Sequence, residues 1–168
     1  MALLSGNVTN YSVEPPIDDN PERIPVKDTD RRGVVDPMTS ALTRVGGTGD
    51  PVTPAACGRT ASVFDGRVRY DLSSEYKRME SIKADGYQGP AVVCGLFFNP
   101  ISGFIPGRAA IRYLVQVRDA EVWLAPISGT RVLVPIRFSM PTPLGTGVLQ
   151  ARQFVSSPQP AHSAAKTQ

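Results

Sequence analysis

Residues 62–77 read SVFDGRVRYDLSSEYK, and this stretch decides the fold class. The Asp65-Gly66 dipeptide is a strong signal of a β-hairpin, because a type I′ turn needs positive φ at both central residues. After this turn, apolar and charged side chains alternate, which predicts an antiparallel strand with one buried and one solvent-facing side. The apolar side carries Val68, Tyr70, Leu72 and Tyr76, and the charged side carries Arg67, Arg69, Asp71, Glu75 and Lys77.

Strand signals continue toward the C-terminus. Asp85-Gly86 marks the next turn, and residues 91–98 are apolar on both faces, which predicts a central strand. Further strands are predicted over residues 121–127, 131–140 and 148–155. Pro135 lacks the N–H that a ladder needs, so its strand lies at an edge or carries a bulge. The apolar row predicted for that strand consists of Val132, Val134, Ile136, Phe138 and Met140.

Two segments carry helix signals. Asp36 is a good N-cap and Pro37 suits the first helical position, which predicts a short helix that ends at Gly46-Gly47. Its apolar face would hold Met38, Ala41, Leu42 and Val45. Residues 108–118 fit either a helix or a strand by their apolar spacing, and we favour a short helix.

The composition completes the predicted architecture. The chain has 168 residues, including 15 glycines and 16 prolines, which favours one domain with many turns and few long helices. Residues 1–35 read as an extended strap with one strand over Val8–Val13, residues 36–155 as a β-rich domain, and residues 156–168 as a disordered tail. We therefore expect a mainly β protein, with a curved antiparallel sheet or partial β-barrel and one or two short helices.

Charge and hydropathy bear on the partners. The net charge is only +3 and the basic residues are scattered, whereas a nucleic-acid binder concentrates them. Tyr70 and Tyr76 would also lie opposite Arg67 and Arg69, so base stacking and phosphate contacts would need different faces. The longest apolar run, residues 91–98, is too short for a membrane-spanning helix. We expect no nucleic-acid partner and no transmembrane helix.

The sequence offers few candidate residues for a catalytic site or a metal site. The only histidine, His162, falls in the predicted tail, which leaves no Ser-His or Cys-His pair in the folded part. Asp71 and Glu75 are the remaining candidates for a carboxylate pair, although a solvated strand face also explains them. We expect no catalytic residue, no metal site and no cofactor.

The two cysteines, Cys57 and Cys94, match no zinc-binding spacing. Two readings stay open on their spacing. They are unrelated free thiols, or they form a disulfide that would stabilise the fold by roughly 3.5–4 kcal/mol and place the protein in an oxidising compartment.

Several short sequence motifs occur in the same order as in a bacterial family of presumed exported proteins, and the chain therefore resembles domain-of-unknown-function family 3108 in its alphaproteobacterial form. The motifs are Val34-Val35-Asp36-Pro37, Val63-Phe64-Asp65-Gly66-Arg67, Tyr70-Asp71-Leu72, Gly86-Tyr87, Gly89-Pro90-Ala91, Val122-Trp123-Leu124-Ala125-Pro126, Val134-Pro135 and Thr142-Pro143-Leu144-Gly145. The resemblance implies a β-rich envelope protein with no assigned activity or cofactor, and it favours the Cys57–Cys94 disulfide. Family members usually start with a signal peptide and further strands, so this chain resembles the C-terminal half, as from a truncated gene.

The leading functional hypothesis is a non-catalytic periplasmic or cell-envelope protein that binds a partner protein or an apolar ligand on the concave sheet face. The expected ligand wall consists of Tyr70, Leu72, Trp123, Ile136 and Phe138. One alternative is an enzyme that acts on an envelope glycan or lipid through Asp71 and Glu75. Another is a truncated fragment without independent function. The start of the chain has no signal peptide, so the product as given could remain cytoplasmic.

Overall fold

The computed structural model describes residues 6–156 and shows a mainly β protein, as the sequence predicts. It contains one antiparallel sheet of seven strands that does not close into a barrel. The strands are β1 (Thr43–Arg44), β2 (Thr60–Phe64), β3 (Arg69–Ala84), β4 (Tyr87–Ser102), β5 (Glu121–Pro126), β6 (Val132–Thr142) and β7 (Gly145–Gln150). The helices are α1 (Pro37–Ser40) and α2 (Ala109–Gln116), with 3₁₀ turns at Asp28–Arg31 and Pro54–Ala56.

The strand order is β1-β6-β5-β4-β3-β2, and β7 also pairs with β6. Because β5 occupies one side of β6, the short β1 and the hairpin strand β7 share the other side. β1 meets β6 at Val132 and Leu133, whereas β7 pairs with residues 137–142. Consecutive strands from β2 to β7 are thus neighbours, which is the meander that short turns favour.

The β2–β3 hairpin forms at Asp65-Gly66, as predicted, but not with the predicted turn. Phe64 pairs with Arg69, so the loop has four residues. The Asp65 carboxylate accepts hydrogen bonds of 2.8 Å from the backbone N–H groups of Arg67 and Val68. Of the four loop residues, only Gly66 has positive φ, at 96°. A type I′ turn would need a second such residue, and the Asp65 side-chain bonds stabilise this loop instead.

A bulge at Lys77 changes which face the residues of β3 present. The register with β4 shifts between Tyr76 and Arg78. Tyr76 pairs with Cys94 and Arg78 with Val93, so even-numbered residues lie on one face before the bulge and on the other face after it. Tyr76 precedes the bulge and shares the face of Tyr70 and Leu72. It was predicted to be buried with them, but it is 44% exposed.

A second bulge breaks the apolar row predicted for β6. Leu124 pairs with Pro135 and Trp123 with Arg137, so Ile136 is the extra residue. The row from Val132 to Met140 is therefore divided between the two faces, and the single-row prediction is wrong. The bulge itself is one of the two outcomes predicted from the missing N–H of Pro135.

The sheet carries a buried apolar cluster on each face. Val92, Cys94, Val122, Leu124 and Leu133 pack on what we call the disulfide face, under residues 45–57. Alternate residues of β4, β5 and β6, together with Ile82 of β3, pack on what we call the tryptophan face. The members of this second cluster are Ile82, Ala91, Val93, Trp123, Ala125 and Ile136, with Tyr87 and Phe154 packed against them. The central strands are thus covered on both sides, as their unbroken apolar sequence predicts.

The helix predicted from Asp36 begins as expected but ends early. The Asp36 carboxylate accepts hydrogen bonds from the backbone N–H groups of Met38 and Thr39, and α1 stops at Ser40. Thr43 then pairs with Leu133 of β6, and Met38 is 80% exposed instead of lying on a buried face. A long-range strand pairing has overridden the local helical spacing.

The remaining segments agree with the sequence only in part. α2 confirms the helix favoured for residues 108–118. The final strand ends at Gln150 and not at Val155, after which an isolated bridge joins Asp85 to Gln153 and the Ala151 N–H donates a hydrogen bond to the Ile136 carbonyl. The tail prediction concerns residues that, apart from Ser156, lie outside the described part of the chain.

The strand predicted over Val8–Val13 is wrong. This segment joins no strand of the sheet: the Val8 N–H donates a 2.9 Å hydrogen bond to the Arg31 carbonyl, and the Tyr11 ring lies edge-on to Phe64 at 5.4 Å between centroids. Farther along the strap, backbone hydrogen bonds hold it against the sheet. Ile24 exchanges hydrogen bonds with residues 103 and 104, and Val35 pairs in parallel with Val63 at the free side of β2.

Candidate functional site

An apolar cavity of about 310 Å³ lies between α1 and the disulfide face of the sheet. This volume is at the lower end of the range of small-molecule sites. The strands supply aliphatic and aromatic side chains, and α1 supplies a roof. The lining consists of Pro37 and Ser40 of α1, Ala41 directly after it, Arg59 directly before β2, Tyr70, Leu72 and Ser74 of β3, Cys94 and Leu96 of β4, Val122 and Leu124 of β5, and Pro135 and Phe138 of β6.

Strand alternation and the two bulges select the residues that face the cavity. Tyr70, Leu72 and Ser74 precede the bulge at Lys77, so they share the disulfide face. Phe138 follows the bulge at Ile136, which returns it to the same face. The Tyr70 ring contacts Phe98 at 5.3 Å between centroids, and burial raises the pKa of its phenol. The tyrosine therefore stays neutral at physiological pH.

The structure brings together only part of the ligand wall predicted from the sequence. Tyr70, Leu72 and Phe138 line the cavity, whereas Trp123 and Ile136 lie on the tryptophan face. Trp123 alternates with Val122 and Leu124, which both face the cavity, and the β6 bulge turns Ile136 away. The prediction of one wall of five residues is corrected accordingly.

The predicted disulfide between Cys57 and Cys94 is present. The Cα atoms are 5.7 Å apart, within the usual range for a disulfide, and both residues are buried. Cys94 lies at mid-strand in β4 and forms part of the cavity floor. Cys57 follows the 3₁₀ turn and packs with Val52 and Ala56, so the bond fastens this loop over the sheet.

Arg59 is the cavity residue that sequence reasoning missed. Its Nη2 donates a 2.7 Å hydrogen bond to the backbone carbonyl of Ser40 in α1. Within residues 6–156 no carboxylate lies in salt-bridge range of it. Burial lowers the pKa of its guanidinium, which nevertheless stays charged at neutral pH. Its sequence position, two residues after Cys57 and directly before β2, does not by itself indicate a ligand site.

The two candidate catalytic carboxylates are not assembled into a pair. Asp71 accepts a 3.0 Å hydrogen bond from the Ser62 hydroxyl and forms an ion pair with Arg69 at 2.8 Å. Glu75 is exposed, four positions farther along β3. At about 3.3 Å per residue, their Cα atoms are roughly 13 Å apart, beyond the spacing of a carboxylate pair that shares one reaction centre.

Trp123 takes part in a charged stack on the tryptophan face. The guanidinium carbons of Arg78 and Arg137 lie 5.4 Å and 4.7 Å from the centre of its ring. Arg78 also binds the Glu121 carboxylate through two hydrogen bonds of 2.8 and 3.0 Å. These bonds lower the pKa of Glu121 and raise that of Arg78. The stack covers the ring, so Trp123 is core packing here.

Two other depressions are weaker candidates. A larger one, of about 910 Å³, is an open surface groove beside the Asp85-Gly86 turn, with much of its lining formed by charged and polar residues. Another, of about 350 Å³, lies between α2 and the strap, where Phe104 and Ile24 help to anchor the strap. The 310 Å³ cavity differs from both because it reaches the buried core, where Cys94, Val122 and Leu124 line it beside Arg59.

The described residues, 6–156, hold no group of three potential metal ligands close enough to bind one ion. The same residues include no helix that is long and apolar enough to span a bilayer. His162 lies outside this part of the chain.

Comparison with known proteins finds one match. The sequence model of a family described as "Protein of unknown function (DUF3108)" matches residues 5–152, nearly the whole chain. No curated protein and no solved structure matches the chain.

Proposed function

The chain belongs to the DUF3108 family, whose description assigns no activity, and we propose from the cavity that it is a non-catalytic binding protein for an apolar ligand. The observation that carries this proposal is an apolar cavity, open between α1 and the sheet, in a place where the surrounding core is filled. Protein interiors are close-packed, and a space of this volume is large for a packing defect. A small ligand pocket combines such a lining with a few polar groups.

The cell envelope is the compartment that we propose. Support comes from the buried Cys57–Cys94 bond, because disulfides of this kind persist in oxidising compartments. The proposed location is tested by acid quenching of intact cells, which traps the thiols, followed by alkylation with a maleimide that adds a measurable mass to each free thiol. We expect both cysteines to resist alkylation until a reductant is added. Alkylation without reductant would contradict an envelope location.

A neutral, environment-sensitive dye, N-phenyl-1-naphthylamine, tests ligand binding because its emission rises in apolar surroundings. We expect saturable binding to the wild-type protein. Leu72→Trp places a larger side chain in the cavity and should abolish the signal. Leu149→Trp is the matched control, because Leu149 lies on β7 and is 73% exposed.

The two variants separate cavity binding from surface adsorption. Equal loss of dye binding in both variants, or unchanged binding in both, would contradict the cavity as the site. Far-ultraviolet circular dichroism confirms that each variant keeps the β-fold, so that loss of binding is not loss of structure.

A further inference from the structure

Arg59 is the arginine that lines the cavity, and it has no acidic partner among the described residues. Arg23, Arg31, Arg69 and Arg78 each form an ion pair with a nearby aspartate or glutamate. Arg59 has only the hydrogen bond from Nη2 to the Ser40 carbonyl among the described residues. Its Nε and Nη1 donors are unpaired there and are not sealed from solvent-accessible space. It therefore offers a cation at the rim of an apolar cavity.

The energetics of such a cation favour an anionic ligand. Partial burial removes water from the guanidinium, and no protein carboxylate offsets this loss in residues 6–156. A carboxylate or phosphate that enters the cavity mouth would supply the missing charge, and the flat fork of arginine binds either group through two hydrogen bonds. The adjoining lining is aliphatic and aromatic, so the rest of the ligand must be apolar.

We propose that the cavity binds a single-chain anionic amphiphile, with the chain between α1 and the sheet and the carboxylate or phosphate head group on Arg59. This inference deepens the proposed apolar-ligand function and rests on it. A volume of about 310 Å³ suits one chain and is small for a ligand with two chains. The backbone hydrogen bond to Ser40 fixes the guanidinium while leaving its other donors available.

The test compares ligands that share a chain and differ in the head group: decanol, decanoate and decyl phosphate. Each displaces N-phenyl-1-naphthylamine from the oxidised protein. Arg59→Gln should raise the concentration of decanoate or decyl phosphate needed for displacement by tenfold or more, the size expected for a charge-assisted pair. The value for decanol should change less than twofold, and Arg59→Lys should restore part of the affinity for the anions.

A matched control removes one positive charge elsewhere. Arg152 is exposed and lies beside the tryptophan face, so Arg152→Gln should leave all three displacement curves unchanged. The ratio between decanoate and decyl phosphate distinguishes a fatty-acid head group from a phosphate head group, and a preference for either supports the shared anion chemistry.

The outcomes also distinguish failure of the anion site from failure of the proposed apolar-ligand binding. If decanol displaces the dye and Arg59→Gln affects all ligands equally, the anion site is refuted while the apolar cavity stands. If neither the dye nor decanol binds, the proposed function itself fails. Equal weakening by Arg152→Gln and Arg59→Gln would show an effect of net charge alone and overturn the assignment.

Discussion

The disulfide gives the sharpest prediction about stability. Cys57 and Cys94 are separated by 37 residues, and a cross-link of that span restricts the unfolded chain by about 4 kcal/mol in the chain-entropy model. Cys57→Ala with Cys94→Ala also removes two buried sulfur atoms, which adds a packing loss of about 1 kcal/mol. Typical domains have only about 5–15 kcal/mol of stability, so this loss is large.

Equilibrium urea unfolding, monitored by the fluorescence of the single tryptophan, measures the effect. With a slope of about 2 kcal/mol per molar urea, the reduced wild-type protein should unfold at a midpoint lower by about 2 M than the oxidised protein. The reduced protein keeps both sulfur atoms, so its difference from the double variant isolates the packing loss. Equal midpoints for oxidised and reduced protein would refute the view that this bond holds residues 45–57 on the sheet.

Two further predictions address the packing of Gly103 against the β2–β3 loop and the charged stack. Gly103 has φ +82° and lies close to the backbone of residues 67–68 in the β2–β3 loop. Gly103→Ala should therefore lower the free energy of unfolding in urea by about 2 kcal/mol or more, whereas Gly107→Ala, which faces open space, should change it little. Similar values for both variants would contradict this close approach of Gly103 to the loop. Because its hydrogen bonds to Arg78 lower the pKa of Glu121 in the folded state, the pair stabilises the protein above the unfolded glutamate pKa and loses that effect as the pH falls through the acidic range. Glu121→Gln should remove this part of the acid dependence, which is measured as the urea midpoint of unfolding from about pH 6 down to about pH 3. An unchanged dependence on pH would contradict the pairing of Glu121 with Arg78.

The parts of the fold that the sequence predicted correctly are those set by local chemistry. Asp65-Gly66 and the alternation after it predict the β2–β3 hairpin, and the Asp36-Pro37 pair predicts the start of α1. The apolar run 91–98 predicts a strand covered on both faces, and the structure places it inside β4. Each of these signals lies within a few residues of the feature that it predicts.

The errors come from contacts between distant segments. The pairing of Thr43 with Leu133 ends the helical region early, and no local pattern announces it. The bulges at Lys77 and Ile136 depend on the register with the neighbouring strands, and each one moves the following residues to the other face. For that reason Ile136 was grouped with a wall that it does not join, whereas Trp123 lies on the other face because it alternates with Val122 and Leu124 along β5.

The candidate site was predictable to a similar extent. Tyr70 and Leu72 follow from the alternation, whereas Phe138 was named from an apolar row that the bulge at Ile136 divides, so its place in the cavity depends on that bulge. Arg59 could not be identified, because its role depends on α1 lying above it and on the absence of a carboxylate among its described neighbours. The likeness to a family favoured the disulfide, where cysteine spacing alone left it undecided.

The measurement that tests the central claim most directly is a methyl NMR titration of the oxidised protein with decanol. The account predicts that the methyl signals of Leu72, Leu96 and Leu124 shift together and saturate, since these residues line the cavity. Leu144 and Leu149 are exposed on the β6–β7 hairpin and should not shift. Saturable shifts of Leu144 and Leu149 with none at the cavity leucines, or no saturable shifts at all, would contradict the claim that this protein binds an apolar ligand between α1 and the sheet.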